Sequence, residues 1–314
     1  MRILITGGAG FLGSNLVVHY LSKGHDVAVI DNYATSKPEN LPKHPKLLSI
    51  EGTIVSKKIL DELFDNFNPT HVIHSAAAYK DLYNWEEDVL TNILGTINVI
   101  RASIRHKVMR FVNFQTALIY GEPKSSFVDE SQSLQPITSY SISKASGEQF
   151  LSLSKLSFIS LRMSTIYGPN HFNGPMPTFY KRISEGKKCF CTNTRRNFVD
   201  LRDFIELMDK ILQNNNVIGF YNMASDKDYS IKQIFDLVLK NIGVKIDYEV
   251  PIIEPNADDI SSFRLDPKKI KKDFNWSCKI SLEDGVRDLV SWYKENGVEN
   301  IFSHLTVIQN YNED

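Results

Sequence analysis

The sequence predicts an α/β protein: a doubly wound parallel sheet followed by a smaller C-terminal lobe. Short apolar runs recur at Arg2 to Ile5, Asp26 to Asp31, His71 to His74, Phe111 to Phe114 and Phe158 to Leu161. Stretches of helical spacing separate them, near 56 to 67, 86 to 106 and 141 to 155. A glycine cluster, Gly7-Gly8-Ala9-Gly10-Phe11-Leu12-Gly13, follows the first run. Strand, helix, strand in repetition implies parallel strands with right-handed crossovers. Runs that are continuously apolar suit a sheet covered on both faces.

Composition excludes several classes. The chain has 314 residues, enough for two domains or one large α/β unit with an insertion. At this size roughly 75% of the unfolded surface is buried, so the core needs no disulfide or metal. Hydrophobic residues at 42% and charged residues at 23% argue against disorder. Lys and Arg total 36 against 37 Asp and Glu, so nothing pulls the whole chain towards nucleic acid or an acidic membrane. Cys189, Cys191 and Cys278 make no disulfide framework and suit a reducing compartment, so a cytoplasmic location is expected. No apolar run reaches the roughly 18 residues of a membrane span. Met1 to Thr6 is too short for a signal segment.

The character changes after Gly168-Pro169. From Asn170 to Arg196 the chain reads as loops with one helix near 177 to 186. Helical spacing returns over Phe198 to Leu212 and Ile231 to Ile242, and Pro251 to Trp276 holds short elements. The expected division is a nucleotide-binding domain over residues 1–168, with 198–236 returning to it. Residues 169–314 mainly form the substrate lobe.

Gly7, Gly10 and Gly13 end a strand and open a helix. Such a turn lets the backbone approach a pyrophosphate, and the helix N-terminus offers free N–H groups and a positive dipole. Asp31 ends the second apolar run, near the roughly 20 residues expected of a ribose-binding acid. An acid there accepts from the adenosine ribose hydroxyls and repels a 2′-phosphate. The cofactor therefore reads as NAD and not NADP. A ligand-free strand–helix turn is the plainer alternative, but loop, helix and acid agree in order and spacing.

Tyr140 and Lys144 stand at i and i+4, on one face of a predicted helix. A tyrosine of ordinary pKa, near 10, is a poor base at neutral pH. A nearby ammonium and a positively charged nicotinamide both favour its phenolate, which could then take a hydroxyl proton. By itself the pair could be a solvated helix face. Downstream of a dinucleotide loop it gains chemical meaning.

These segments, with His74-Ser75-Ala76-Ala77, Asn92-Ile93-Leu94-Gly95-Thr96, Tyr120-Gly121, Arg162 to Pro169 and Arg196 to Asp200, carry a resemblance over nearly the whole chain. The sequence resembles the extended short-chain dehydrogenase/reductase family, in its NAD-dependent nucleotide-sugar epimerase and dehydratase branch. The resemblance implies a Rossmann-type domain holding NAD. It places cofactor contacts at the glycine loop (Gly7, Gly10, Phe11, Leu12, Gly13) and at Asp31, Asn32, Thr53 and Ile54. Further contacts fall at Ala76, Ala77, Lys80, Asn92, Tyr140, Lys144 and Met163. It also implies a third catalytic residue, Thr116, five residues before the glycine of Tyr120-Gly121, orienting the reacting sugar oxygen. Without the resemblance, Thr116 reads as a strand-end hydroxyl bonding backbone. Contacts to a nucleotide-diphosphate sugar are implied at Lys80, Thr116, Ala117, Thr165, Pro175, Lys181 and Arg196.

The departures narrow the chemistry. Family dehydratases carry Asp-Glu after this Thr, decarboxylases a Glu and one epimerising reductase a Cys; here stand Ala117 and Leu118. What remains is hydride removal at a sugar carbon, expected to be C4. If the keto sugar turns over and takes the hydride back on its other face, the enzyme is a 4-epimerase. If it leaves, the enzyme is a dehydrogenase whose NADH is reoxidised by a second small molecule, such as a keto acid. Gly52-Thr53-Ile54 lacks the acid that often holds adenine, and Pro255 to Asp259 lacks the arginine that often grips the diphosphate. Pro175 cannot donate a backbone hydrogen bond. Arg195, Lys181 or Arg264 could compensate beside Arg196. The blocks Ala77 to Asp81 and Phe114 to Leu118 resemble a subgroup of bacterial surface-polysaccharide (capsule and O-antigen) enzymes. It includes O-antigen sugar 4-epimerases and the GDP-manno-heptose 4-dehydrogenase type. The missing contacts weigh against a standard UDP-galactose 4-epimerase. The resemblance therefore implies first an oxidation at C4 of the GDP-manno-heptose 4-dehydrogenase type, with a UDP- or GDP-sugar 4-epimerase as the alternative. A non-catalytic NAD-sensing regulator on the same fold is the remote alternative, disfavoured because Tyr140 and Lys144 are both present.

Other features read as structural. His74 ends a buried strand. Cys189-Phe190-Cys191 alternates like a strand and lacks partners at zinc spacing, so no metal is expected. Lys268 to Lys272 reads as a solvated helix face and not a nucleic-acid patch. Trp85, Trp276 and Trp292 read as packing residues. The family pairs helices corresponding to those near 88 to 106 and 141 to 154 in a four-helix interface, which makes a homodimer the expected assembly.

Overall fold

The computed structural model describes residues 1–79, 81, 83–122, 125, 127–255, 264–298 and 301. Its first half alternates strand and helix: β1 (Arg2–Thr6), α1 (Phe11–Ser22), β2 (Asp26–Asp31), β3 (Leu47–Glu51), α2 (Lys57–Phe67) and β4 (His71–His74). Next come α3 (Trp85–Asp88), a π-helical stretch over Val89–Gly95, α4 (Thr96–Arg105) and β5 (Arg110–Thr116). After the short β6 (Phe127–Val128) follow α5 (Ser139–Ser152), β7 (Phe158–Met163) and β8 (Thr165–Tyr167). The second half holds α6 (Pro175–Ser184), β9 (Cys191–Thr192), β10 (Arg195–Asp200), α7 (Leu201–Gln213), β11 (Gly219–Met223) and β12 (Asp228–Ser230). It ends with α8 (Ile231–Ile242), β13 (Ile252–Ile253), β14 (Arg264–Leu265), α9 (Lys268–Phe274) and α10 (Leu282–Asn296).

Seven strands form the central sheet, in the order β11-β7-β5-β4-β1-β2-β3, and every pairing is parallel. Strand side chains alternate between faces. Ile3 and Ile5 pack with α1, α7 and α9 on one side. Leu4 packs with α2, α4 and Leu151 of α5 on the other. A third cluster gathers α6, α8 and α10 around Phe198, Cys189 and Cys191, beside a small sheet of order β12-β10-β8. The consequence for function is positional. Gly7, Asp31, Gly52, Ser75, Thr116 and Met163 all lie at or just beyond the carboxyl ends of sheet strands, where doubly wound folds bind ligands.

Two expectations are corrected. Phe198 to Leu212 is not one helical stretch: Arg195–Asp200 is a strand that pairs with β8, and the helix starts at Leu201. The carboxylate of Asp200 caps that helix by accepting from the Arg202 N–H at 2.9 Å. Trp85 is 64% exposed and is not a core residue, whereas Trp276 is buried and Trp292 packs against the third cluster. His74 is buried between the Thr6 and Thr96 hydroxyls, at 2.8 and 2.9 Å. Burial lowers its pKa to about 3, so it stays neutral. Among the described residues, no helix is long and apolar enough to cross a membrane, and no cluster of three His, Cys, Asp or Glu could hold a metal.

The underside of α5 carries a buried ion pair. Glu148 accepts from Arg162 Nη2 at 2.8 Å and from the Ser160 hydroxyl at 2.7 Å. Arg162 also donates to the Tyr120 hydroxyl at 2.8 Å. Removing one partner of such a pair leaves an uncompensated buried charge. Arg162→Leu is expected to lower unfolding free energy by about 3–5 kcal/mol, read from urea unfolding; a change within experimental error would remove the assignment.

Candidate active site

A cleft of about 840 Å³ opens over the carboxyl ends of β1 to β5 and β7. Its walls include Gly7, Gly10, Phe11, Leu12 and Gly13 from the glycine loop, and Asp31 and Asn32 from the end of β2. Thr53 and Ile54 follow β3, Ala76 and Ala77 follow β4, and Met163 ends β7. Tyr140 and Lys144 of α5 line it too. Residues that the sequence scatters over more than 150 positions thus meet in one groove.

The loop geometry explains its glycines. Gly7 has φ +65°, and a Cβ there would lie 2.8 Å from the Ala76 backbone. A Cβ on Gly13 would lie 2.4 Å from the Gly7 carbonyl oxygen. Gly10 differs: a Cβ would meet only that same carbonyl, at 3.3 Å, so its open side faces the cleft. Gly10 also begins α1 without a side-chain cap, and the first turn holds no acid. Uncapped N–H groups at an open backbone position fit the pyrophosphate of a dinucleotide. Asp31 is nearly buried. Its Oδ2 accepts from Ala9 N–H at 2.9 Å, and its Oδ1 accepts from Tyr33 N–H at 2.8 Å and the Ser36 hydroxyl at 3.0 Å. These bonds fix the carboxylate at the cleft wall, where remaining lone pairs can take ribose hydroxyls. The residues present therefore fit NAD.

Thr138 and Ser141 form a capping box that starts α5 just before Tyr140. Lys144 is 6% exposed, and its Nζ donates to the Phe114 carbonyl at 2.7 Å. Burial lowers its pKa to about 8, against an opposing pull from Glu148. Tyr140 moves the other way from the phenolate expectation. Burial first, then Tyr79 and Asp88, push its hydroxyl well above the ordinary tyrosine value. In the ligand-free chain the proton stays on Tyr140, and a positive charge arriving beside it is what can release it. Thr116 ends β5, and its hydroxyl oxygen accepts from Leu118 N–H at 3.2 Å. Its own proton is left to donate to an incoming oxygen.

Other expected site residues lie elsewhere. Asn92 is not in the cleft wall itself: its amide holds Ala78, which is, by both backbone groups at 2.9 Å. It also donates to the Ser143 hydroxyl of α5 at 3.0 Å. The π-helical stretch carries it inward, a departure that often marks functional positions. Thr165 on β8, Pro175 and Lys181 on α6, and Arg196 on β10 are not part of the cleft wall, nor are Thr116 and Ala117. Arg196 donates to the Arg195 carbonyl at 2.8 Å. Arg195 and Arg264 both pair with Asp228, at 2.5 and 3.4 Å. Lys80 and residues 256–259 lie outside the described residues. Sequence reasoning missed Tyr79, whose ring meets Tyr140 edge-on at 6.4 Å between centroids. It also missed Asp88, 3% exposed, which accepts from the Ser139 hydroxyl at 2.6 Å. Both lie in the cleft wall, and no spacing rule singles either out.

A dinucleotide groove ending in a tyrosine–lysine pair on one helix face is the arrangement of an extended short-chain dehydrogenase/reductase. Residues 3–224 match the NAD dependent epimerase/dehydratase family, and the chain belongs to it. It is 47% identical to the Bordetella bronchiseptica enzyme WbmG, crystallised with NAD and UDP, with a TM-score of 0.93 over 98% of this chain and 99% of that one. It is 37% identical to WbmH of the same organism, crystallised with NAD⁺, with a TM-score of 0.90 over 94% and 99%. The UDP-glucose 4-epimerase of Haemophilus influenzae is 27% identical, over 94% of this chain and 98% of that protein. The family is NAD-dependent, and NAD is the cofactor.

The lysine yields a pH prediction. Lys144 carries its charge below about pH 8 and loses it above. Turnover that needs the ammonium falls as pH rises through about 8. Lys144→Arg keeps a charge that does not titrate in this range, so the falling limb should vanish from its kcat–pH profile. A limb of unchanged position in that variant would assign it to another group.

Proposed function

We propose that this enzyme oxidises the C4 hydroxyl of a UDP-linked sugar and returns the hydride to the opposite face, acting as a nucleotide-sugar 4-epimerase of surface-polysaccharide synthesis. The observation that carries the reading is the end of β5: Thr116 keeps a hydroxyl to orient the sugar oxygen, while Ala117 and Leu118 supply no acid or base for water loss. Tyr140 takes the C4 proton and gives it back, Lys144 holds positive charge beside it, and Thr116 fixes the oxygen between them. Bound NAD supplies the hydride acceptor.

UDP in the WbmG crystals and the UDP-glucose 4-epimerase relatives support a UDP-linked over a GDP-linked substrate. The second reading is a 4-dehydrogenase that releases the keto sugar, GDP-manno-heptose being its candidate substrate and a keto acid the candidate acceptor. It has the two blocks around Tyr79 and Thr116 in its favour. In either case residues 1–168, with 198–236, are assigned to NAD, and the rest mainly to the sugar nucleotide. Arg196, Lys181 and Pro175, together with Thr165 from the first stretch, are assigned to the sugar nucleotide.

Absorbance of NADH separates the two readings when purified protein meets matched UDP- and GDP-linked sugars, GDP-manno-heptose included. A new isomer without lasting NADH is expected, from a UDP-sugar. Lasting NADH with any one sugar would replace the epimerase reading by the dehydrogenase. Tyr140→Phe should lower turnover by about 10²–10⁴-fold while keeping NAD bound; near-normal turnover would sink the mechanism.

The same reading includes a homodimer. Val89, Leu90 and Leu94 of the π-helical stretch are exposed, as are Ile142 and Phe150 of α5, which packs beside it, and Leu153 at its C-terminal cap. Exposed apolar side chains on two adjacent helices suit a four-helix contact with a second copy. Light scattering should give a dimer, and Phe150→Glu combined with Leu153→Glu a monomer; a wild-type monomer at every concentration would reject it.

A further inference from the structure

We propose that Gln115 is a positioning residue whose single amide sets Thr116 and Lys144 in register. The inference rests on the reading of Thr116, Tyr140 and Lys144 as the reacting set. Gln115 is 1% exposed, on a strand where Phe111, Val112 and Phe114 are buried apolar residues. An amide in such a place costs stability unless its groups are bonded. Gln115 Nε2 donates to the Lys144 carbonyl at 2.9 Å, and its Oε1 accepts from the Thr116 N–H at 2.9 Å.

The two bonds tie different elements. Thr116 is the last residue of β5, and Lys144 lies in the second turn of α5. A helical carbonyl has a second lone pair beyond its helical bond, and the amide uses it. The preceding residue adds a third hold, because the Phe114 carbonyl accepts from Lys144 Nζ at 2.7 Å. Strand β5 therefore grips Lys144 at both its main chain and its ammonium. From the far side, Asn92 donates to Ser143, so α5 is located by side-chain amides on two flanks. A hydroxyl or an apolar side chain at position 115 cannot reach both partners, and Asn is one methylene short. Misplacement by about 1 Å at a reacting centre costs on the order of 10²-fold in rate.

The test uses NAD-loaded protein without sugar. The ultraviolet phenolate absorbance is titrated in each protein and that of Tyr140→Phe is subtracted, which isolates Tyr140. Gln115→Met keeps a side chain of similar length and adds no charge, but it makes neither the bond to the Lys144 carbonyl nor the bond from the Thr116 N–H, so the ammonium is no longer held in register beside the phenol. The Tyr140 midpoint should rise by about one unit or more, a ~10-fold change in its ionisation constant. Gln115→Leu should lower kcat about 10²-fold on a sugar that the wild type turns over, with KM within about twofold. An unmoved Tyr140 midpoint in Gln115→Met overturns the proposal, as does wild-type kcat in a folded Gln115→Leu. Should Gln115→Leu fail to fold, the Met variant decides alone. A purely structural role would lower the melting temperature and leave the midpoint in place. Because the titration needs no sugar, its outcome is independent of the substrate reading.

Discussion

The ammonium of Lys144 sits almost wholly out of water and donates to a neutral carbonyl, that of Phe114. A buried cation held this way is poorly compensated, and its pKa falls to about 8. The fold must therefore hold α5 against β5 firmly enough to keep the charge in place. It does so with the Gln115 amide, the Asn92 amide and the capping box at Thr138. Each acts on the first turns of α5, where Tyr140 and Lys144 stand. The reacting geometry is thus a property of the β5–α5 contact and not of any single loop.

The cofactor side is built differently. There the backbone does most of the work: glycine positions allow close approach, and an uncapped helix end offers N–H groups. Asp31 is pinned by two backbone N–H groups and one hydroxyl before any ribose arrives. Preformed donors and a fixed carboxylate suit a ligand that stays in place through turnover. A phenol whose proton is retained by burial suits the same cycle. It becomes a base only when a further positive charge, such as that of a nicotinamide, joins the Lys144 ammonium, so the apo chain does not hold an idle phenolate.

Much of this was legible in the sequence because it depends on local spacing. The glycine loop, Asp31 at a strand end and the i, i+4 pair Tyr140 and Lys144 are patterns within a few turns or one strand. What stayed hidden depends on contacts across the sheet. Asn92 reads as a cofactor contact, and what spacing does not show is that its amide ties the cleft-wall residue Ala78 to Ser143 of α5. Gln115 looked like one polar residue in an apolar strand, and its partner on α5 lies far along the chain. The boundary at Asp200 was missed for a different reason: a strand runs directly into a helix whose first residue is apolar, so hydrophobic spacing passes through without a break.

Glu148 shows how the remaining charge is managed. Tyr140, Lys144 and Glu148 follow at i, i+4 and i+8 on one face of α5, which places a carboxylate one turn beyond the lysine. Left to itself that carboxylate would draw the ammonium away from the reacting end. Arg162 holds Glu148 instead, with help from Ser160, and is itself held by Tyr120. A buried ion pair of this kind adds little net stability over well-packed apolar residues. Its value here is directional. With the carboxylate engaged by Arg162 and Ser160, the ammonium of Lys144 remains at the Phe114 carbonyl, in the cleft wall that also holds Tyr140.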